Sequence, residues 1–143
     1  MNALDSINRV RQFFEGLSRE SVSHVDSIYA EDAYFKDPFN EVRGVPAVRR
    51  IFEHMFEQVD APRFAIRDFA VTGEQAFLTW DFTFCFKRSP QTEQVIHGAS
   101  HLRFSPDGKV CFHRDYWDAA EELYEKLPVL GGLMRLIKRR AAS

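Results

Sequence analysis

The stretch Tyr29 to Phe56, YAEDAYFKDPFNEVRGVPAVRRIFEHMF, sets the architecture. Ala33–Asp37 reads as a short strand, closed by Pro38, which has no N–H to give to a ladder. Gly44-Val45-Pro46 opens a helix with proline in its first turn, where a missing N–H costs nothing. Val48, Ile51, Phe52, Met55 and Phe56 then recur at helical spacing as one apolar stripe. Asp37 ends an otherwise apolar strand, where a carboxylate is costly to bury without a partner or a task. It is the first candidate for chemistry.

On the N-terminal side, Leu4, Ile7, Val10, Phe13, Phe14 and Leu17 mark a first helix capped by Asp5 or Ser6. A second short helix is expected from Ser21 to Tyr29. Past Pro62 the apolar period switches to two. Phe64, Ile66 and Phe69 share a strand that closes at Thr72-Gly73-Glu74. Ala76–Lys87 follows, with Trp80, Phe82, Phe84 and Phe86 on one face, read as core or dimer interface. Gln94–Phe104 and Lys109–Trp117 flank the hairpin turn Pro106-Asp107-Gly108, and Asp118 caps a helical tail. Helices followed by a meander of long strands imply an α+β fold. One domain over residues 1–143 is expected, with a bent antiparallel sheet wrapped around N-terminal helices to enclose a pocket.

Composition narrows the function classes. Among the 143 residues, 14 are Phe against 2 Trp and 4 Tyr, which supplies large apolar area without polar handles and suits a greasy cavity. The formal net charge of −2 gives no field for nucleic acid. Arg49, Arg50, Arg63 and Arg67 likewise form no basic stripe with interleaved aromatics. Cys85 and Cys111 read as buried thiols of a reducing compartment. No apolar run is long enough to span a bilayer, and the charged N-terminus lacks a signal-peptide core, so a cytoplasmic location is expected. In the basic amphipathic tail, about residues 130–143, Leu130, Leu133, Met134 and Ile137 share a helical face beside Arg135, Lys138, Arg139 and Arg140. That face either closes the pocket or packs on a partner, or makes a weak membrane-surface contact.

Strand parity in Lys109–Trp117 groups His113, Asp115 and Trp117 on one face and Arg114, Tyr116 and Asp118 on the other. A register slip of one residue exchanges the sets. A histidine beside a carboxylate is what a general base needs, since the acid fixes the tautomer and steadies the imidazolium. His97 and His101, four apart on a strand, lie about 13 Å apart and cannot share a metal.

From Val10 to Pro38 the chain resembles, without a gap, the ketosteroid isomerases of the SnoaL-like branch of the NTF2-like superfamily. The resemblance implies that Asp37 falls on that family's catalytic base. Phe13 stands where the family has a hydrogen-bonding tyrosine, and Ser100 where it has a protonated aspartate. Those two positions stabilise developing negative charge, and losing one such donor costs about 2.7–4 kcal/mol. An efficient ketosteroid isomerase is therefore not expected. The last strand is similar to those of SnoaL-like cyclases and limonene-epoxide hydrolases, which place an aspartate in the cone wall, here Asp115. The hydrolases add an arginine and a second aspartate, for which Arg103, Arg114 and Asp81 are candidates.

The resemblance implies a cofactor-independent acid–base enzyme of isomerase, cyclase, dehydratase or epoxide-hydrolase type. Asp37, His113 and Asp115 would be catalytic, and Phe13, Phe52, Ser100 and Trp117 would line the site of a small, mostly apolar ligand. No metal or other cofactor is expected. The alternatives are a non-catalytic binder and a structural or partner-binding module. A homodimer through the outer face of the sheet is expected, because neither face of Ala76–Lys87 reads as fully solvated.

Overall fold

The computed structural model describes residues 2–122 and 136–142. Helix α1 (Ala3–Glu15) starts one turn earlier than expected: Asn2 is its cap and accepts the Asp5 N–H at 2.8 Å. Its buried stripe is Ala3, Ser6, Ile7, Val10 and Phe14. The expected helix from Ser21 to Tyr29 is instead a single turn, α2 (Arg19–Val22), followed by a 3-10 turn over Val25–Ser27. Serines account for the break. Ser18 and Ser21 cap each other's backbone, and the Ser23 and Ser27 hydroxyls bond the carbonyls of Glu20 and His24. Such local bonds compete with a continuous helix. Tyr29 is thereby released to begin β1 (Tyr29–Lys36).

After β2 (Glu41–Arg43), Gly44 takes a positive φ of 98° and helix α3 (Val45–Gln58) begins with Pro46 in its first turn. Four long strands follow: β3 (Val59–Thr72), β4 (Gln75–Phe86), β5 (Glu93–Phe104) and β6 (Val110–Tyr116). Strand β3 starts before Pro62, earlier than expected, because a register shift between Asp60 and Arg63 absorbs the proline. A second shift between Ile66 and Asp68 adds to the bend. Asp118 caps the short helix α4 (Ala119–Glu122) through the N–H groups of Ala120 and Glu121.

The strands form one sheet in the order β2-β1-β6-β5-β4-β3. All pairs are antiparallel except β1 with β6, which is parallel, with Phe35 opposite His113 and Lys36 opposite Arg114. The sequence reading anticipated only antiparallel neighbours. A parallel pair needs a long crossover, and α3 with β3–β5 supplies it.

Helices α1 and α3 pack on the concave side, where Ile7, Val10, Phe14, Val48 and Phe52 meet Leu78 and Leu102 in one core. Trp80 and Phe84 belong to the core, as expected, with Phe82 and Phe86 packed against it, and all four also line a cavity because their face of β4 is the concave one. Cys85 and Cys111 are free and half-buried, more accessible than expected.

Leu130, Leu133, Met134 and Arg135 of the expected tail lie outside the described residues. Residues 136–142 are helical and exposed, Leu136 and Ile137 included. Among the described residues no helix is long and apolar enough to cross a membrane.

Candidate functional site

The cavity lies between α3 and the concave face of the sheet and measures about 690 Å³. Its walls are mostly aromatic, with Phe35, Phe52, Phe64, Trp80, Phe82 and Phe84 among them. A chamber of about 30 Å³ adjoins it, reached by Phe14, Ser100 and His113. Asp115 lines both spaces.

Asp115 is held by a chain of buried polar groups. Trp80 Nε1–H donates to Ser100 Oγ at 2.9 Å, and the Ser100 hydroxyl donates to Asp115 Oδ1 at 2.5 Å. His113 Nε2 lies 2.5 Å from the same oxygen, and His113 Nδ1 lies 2.7 Å from the Tyr29 hydroxyl. The Tyr29 phenol is held well above its ordinary 10.0, chiefly by burial and then by the negative charge of Asp115. It therefore keeps its proton and pairs with His113 Nδ1. The Asp115 carboxylate can only accept, so the His113 Nε2 proton is aimed at it. The His113 ring is 3% exposed, stacked on Tyr29 with an interplanar angle of 10° and packed against Phe35. One oxygen of Asp115 thus takes two donors, Oδ2 has no partner among the described residues, and the side chain lines the cavity.

Replacing Tyr29 by Phe tests this chain. At neutral pH the change leaves His113 Nδ1 without its hydrogen-bond partner, which is expected to cost about 1–3 kcal/mol. The pH dependence has a definite sign. The folded pKa lies above the unfolded one, so the Tyr29 contribution is fully present below pH 10.0 and is lost as pH rises from there toward the folded value. Urea melts between pH 9 and 11 should show the wild-type losing stability more steeply than Tyr29→Phe. Parallel pH profiles would count against the assignment.

Phe35 and His113 pair across β1 and β6, so Asp37 and Asp115 continue the same inward parity, and both line the cavity. Asp37 is half-exposed at the rim, and its carboxylate is committed to the turn after β1. Its Oδ1 accepts the N–H groups of Phe39 and Asn40 at 2.8 and 2.7 Å, and Asn40 Nδ2 reaches both oxygens at 3.0 and 3.1 Å. Phe52 and Trp117 line the cavity, and Trp117 packs edge-on against Phe39.

Phe13 does not line either chamber. It sits off the buried stripe of α1 and packs edge-on against Phe14 and Phe52, while Phe14 reaches the inner chamber. Arg103, Arg114 and Asp81 cannot serve the cavity, because all three project from the convex face. There Arg103 covers Phe112, Arg114 covers Tyr116, and Asp81 binds Arg67 and His97. Those two partners hold the Asp81 carboxyl below its usual range, with the His97 bond the larger cause.

Tyr29, Trp80, Arg50 and His54 escaped the sequence reading as site residues. Tyr29 could have been flagged as a buried phenol in need of a partner. Arg50 and His54 could have been flagged as polar residues one turn apart beside the apolar stripe of α3.

The family model described as a SnoaL-like domain matches residues 10–113. No curated protein matches the sequence. Among solved structures, a limonene-epoxide-hydrolase-like epoxide hydrolase of M. tuberculosis superimposes with a TM-score of 0.71 at 16% identity, covering 95% of this chain and 94% of that one. An NTF2-like protein from Burkholderia pseudomallei gives 0.71 at 18% identity, covering 81% and 92%. A protein with a ketosteroid isomerase-like fold from Catenulispora acidiphila, in complex with trimethylamine, gives 0.70 at 13%, covering 82% and 88%. At these identities the likeness carries the fold alone. The bent sheet over N-terminal helices is the NTF2-like fold of these neighbours, and the family match spans most of the chain, so the chain belongs to the SnoaL-like domain family.

Proposed function

We propose that the protein is a cofactor-independent acid–base enzyme of isomerase, cyclase, dehydratase or epoxide-hydrolase type, acting on a small, mostly apolar molecule in the aromatic cavity. The observation that carries this reading is Asp115: one oxygen is fixed by Ser100 and His113, and the other, without a partner among the described residues, belongs to a side chain that lines the cavity. A carboxylate locked in one rotamer against a largely apolar wall is what general-base catalysis requires. In this reading Asp115 takes the proton from a carbon acid, a hydroxyl or a bound water, and returns it. His113 and Ser100 are positioning residues. Asp37, expected as the base, acts at the rim by shaping the turn. The test is a screen of epoxides, enones and polyketide-like ketones for turnover and for binding. Turnover supports the enzyme. Binding without turnover favours the non-catalytic binder, to which the apolar walls are equally suited. The absence of both removes the small-molecule reading and returns the partner-binding module.

The homodimer belongs to the same reading. Phe77 and Tyr116 are 44% and 51% exposed on the convex face of the sheet, and Phe77 continues through His101 to Phe112 as one aromatic cluster. Exposed aromatic groups of this kind mark contact surfaces. Light scattering at micromolar concentration should give a dimer, and Phe77→Asp should shift it to monomer without unfolding. A wild-type monomer would remove the proposal.

A further inference from the structure

The cavity mouth carries charge that the proposed chemistry does not use. Arg50 and His54 are exposed, stand four residues apart on α3, and both line the cavity. That spacing is one helical turn, about 6 Å along the axis. Neither side chain has a hydrogen-bond or ion-pair partner among the described residues. Among the described residues, the other charged groups lining the cavity are Asp37 and Asp115. Asp37 is taken up by the Phe39 and Asn40 donors. Asp115 stands at the floor with His113 and Ser100. The cavity thus holds the Asp115 carboxylate inside and, at its mouth, a guanidinium and an imidazole without partners among the described residues, beside an Asp37 carboxylate whose oxygens are turned to the loop donors.

From this arrangement we infer that the preferred ligand is an aromatic or polycyclic molecule bearing one anionic group, a carboxylate or an ionised enol. The anion is held at the mouth by Arg50 and His54, and a hydrogen-bond donor at the opposite end meets Asp115 Oδ2. The orientation follows from charge. An anion beside the Asp115 carboxylate would be repelled, whereas a planar guanidinium offers paired donors that match a carboxylate. The ring faces of Phe64, Phe82 and Trp80 favour a flat apolar body between the two ends. This deepens the reading of the cavity as a ligand site and rests on it.

The test is calorimetric titration of the full chain with 6-hydroxy-2-naphthoic acid and with its uncharged methyl ester. The acid is expected to bind about tenfold more tightly, the worth of one charge-assisted contact. Arg50→Gln should abolish that preference and leave ester affinity unchanged, and His54→Gln should reduce it. Asp115→Asn should preserve the ratio, because it reads the other end of the ligand. Salt raised from about 0.05 to 0.5 M should narrow the gap. Equal binding of acid and ester, or a preference that survives Arg50→Gln, overturns the inference while the cavity reading stands. If neither probe binds, both fall together.

Discussion

Asp115→Asn is expected to lower turnover of any substrate found for this protein by about 10²–10⁴-fold, the usual worth of a positioned general base. The amide keeps the shape of the carboxylate and an oxygen that can still accept from Ser100 and His113, so the fold should survive. What it loses is the ability to take a proton at the cavity-facing position. Ligand affinity should fall by only about tenfold, the worth of the one hydrogen bond to Oδ2, far less than turnover, which separates this result from a damaged pocket. Asp37→Asn is the matched control. Its Oδ1 would still accept the Phe39 and Asn40 N–H groups that define the turn, and the expected loss is below about tenfold. The reverse pattern, with Asp37→Asn inactive and Asp115→Asn fully active, would move the base to the rim and discard the role assigned to Asp115. Simple 3-oxo-steroids should turn over slowly in either case. Their dienolate needs a donor, yet the Ser100 proton goes to Asp115 and Tyr116 projects from the convex face beneath Arg114.

The architecture was largely legible because its signals are local. The aromatic alternation of Trp80 to Phe86, the Gly44-Val45-Pro46 helix start and the Pro106-Asp107-Gly108 turn each report a few neighbouring backbone positions. Parity placed His113, Asp115 and Trp117 on one face because a strand has a period of two. The misses come from the alternatives that local rules leave open. Phe13 and Phe14 both belong to an apolar helix face, and only the tilt of α1 on the sheet selects Phe14. Serine side chains cut the second helix short, so Tyr29 moved from a helix into β1 and came within reach of His113, 84 positions away in the sequence. Asp37 matched a motif, yet the motif does not say whether its carboxylate faces a ligand or the two backbone N–H groups that follow it.

Gly98→Ala is expected to produce the largest loss of stability of any single methyl addition in the sheet. Gly98 pairs with Trp80 across β4 and β5, and the indole lies over it. A Cβ at this position would stand 2.4 Å from Trp80 Cη2 and Cζ2 and 2.9 Å from Cζ3. The ring is 6% exposed and packs edge-on against Phe64, so it cannot simply swing into solvent. Relieving the contact moves the indole and breaks its Nε1–H bond to Ser100. Overpacking of this kind costs about 1–3 kcal/mol, and an orphaned buried donor about as much again. Thermal melts should show a drop on the order of 10 °C. The damage should reach the site as well, because Ser100 helps fix Asp115, so kcat should fall in the fraction that remains folded. The double variant Gly98→Ala/Trp80→Phe separates the two causes. The smaller ring removes the collision and should recover part of the stability relative to Gly98→Ala alone, a coupling that independent sites would not show. Activity should stay low, because Phe offers Ser100 no donor. If Gly98→Ala melts with the wild-type, the indole does not occupy this position and the polar chain that holds Asp115 must begin elsewhere.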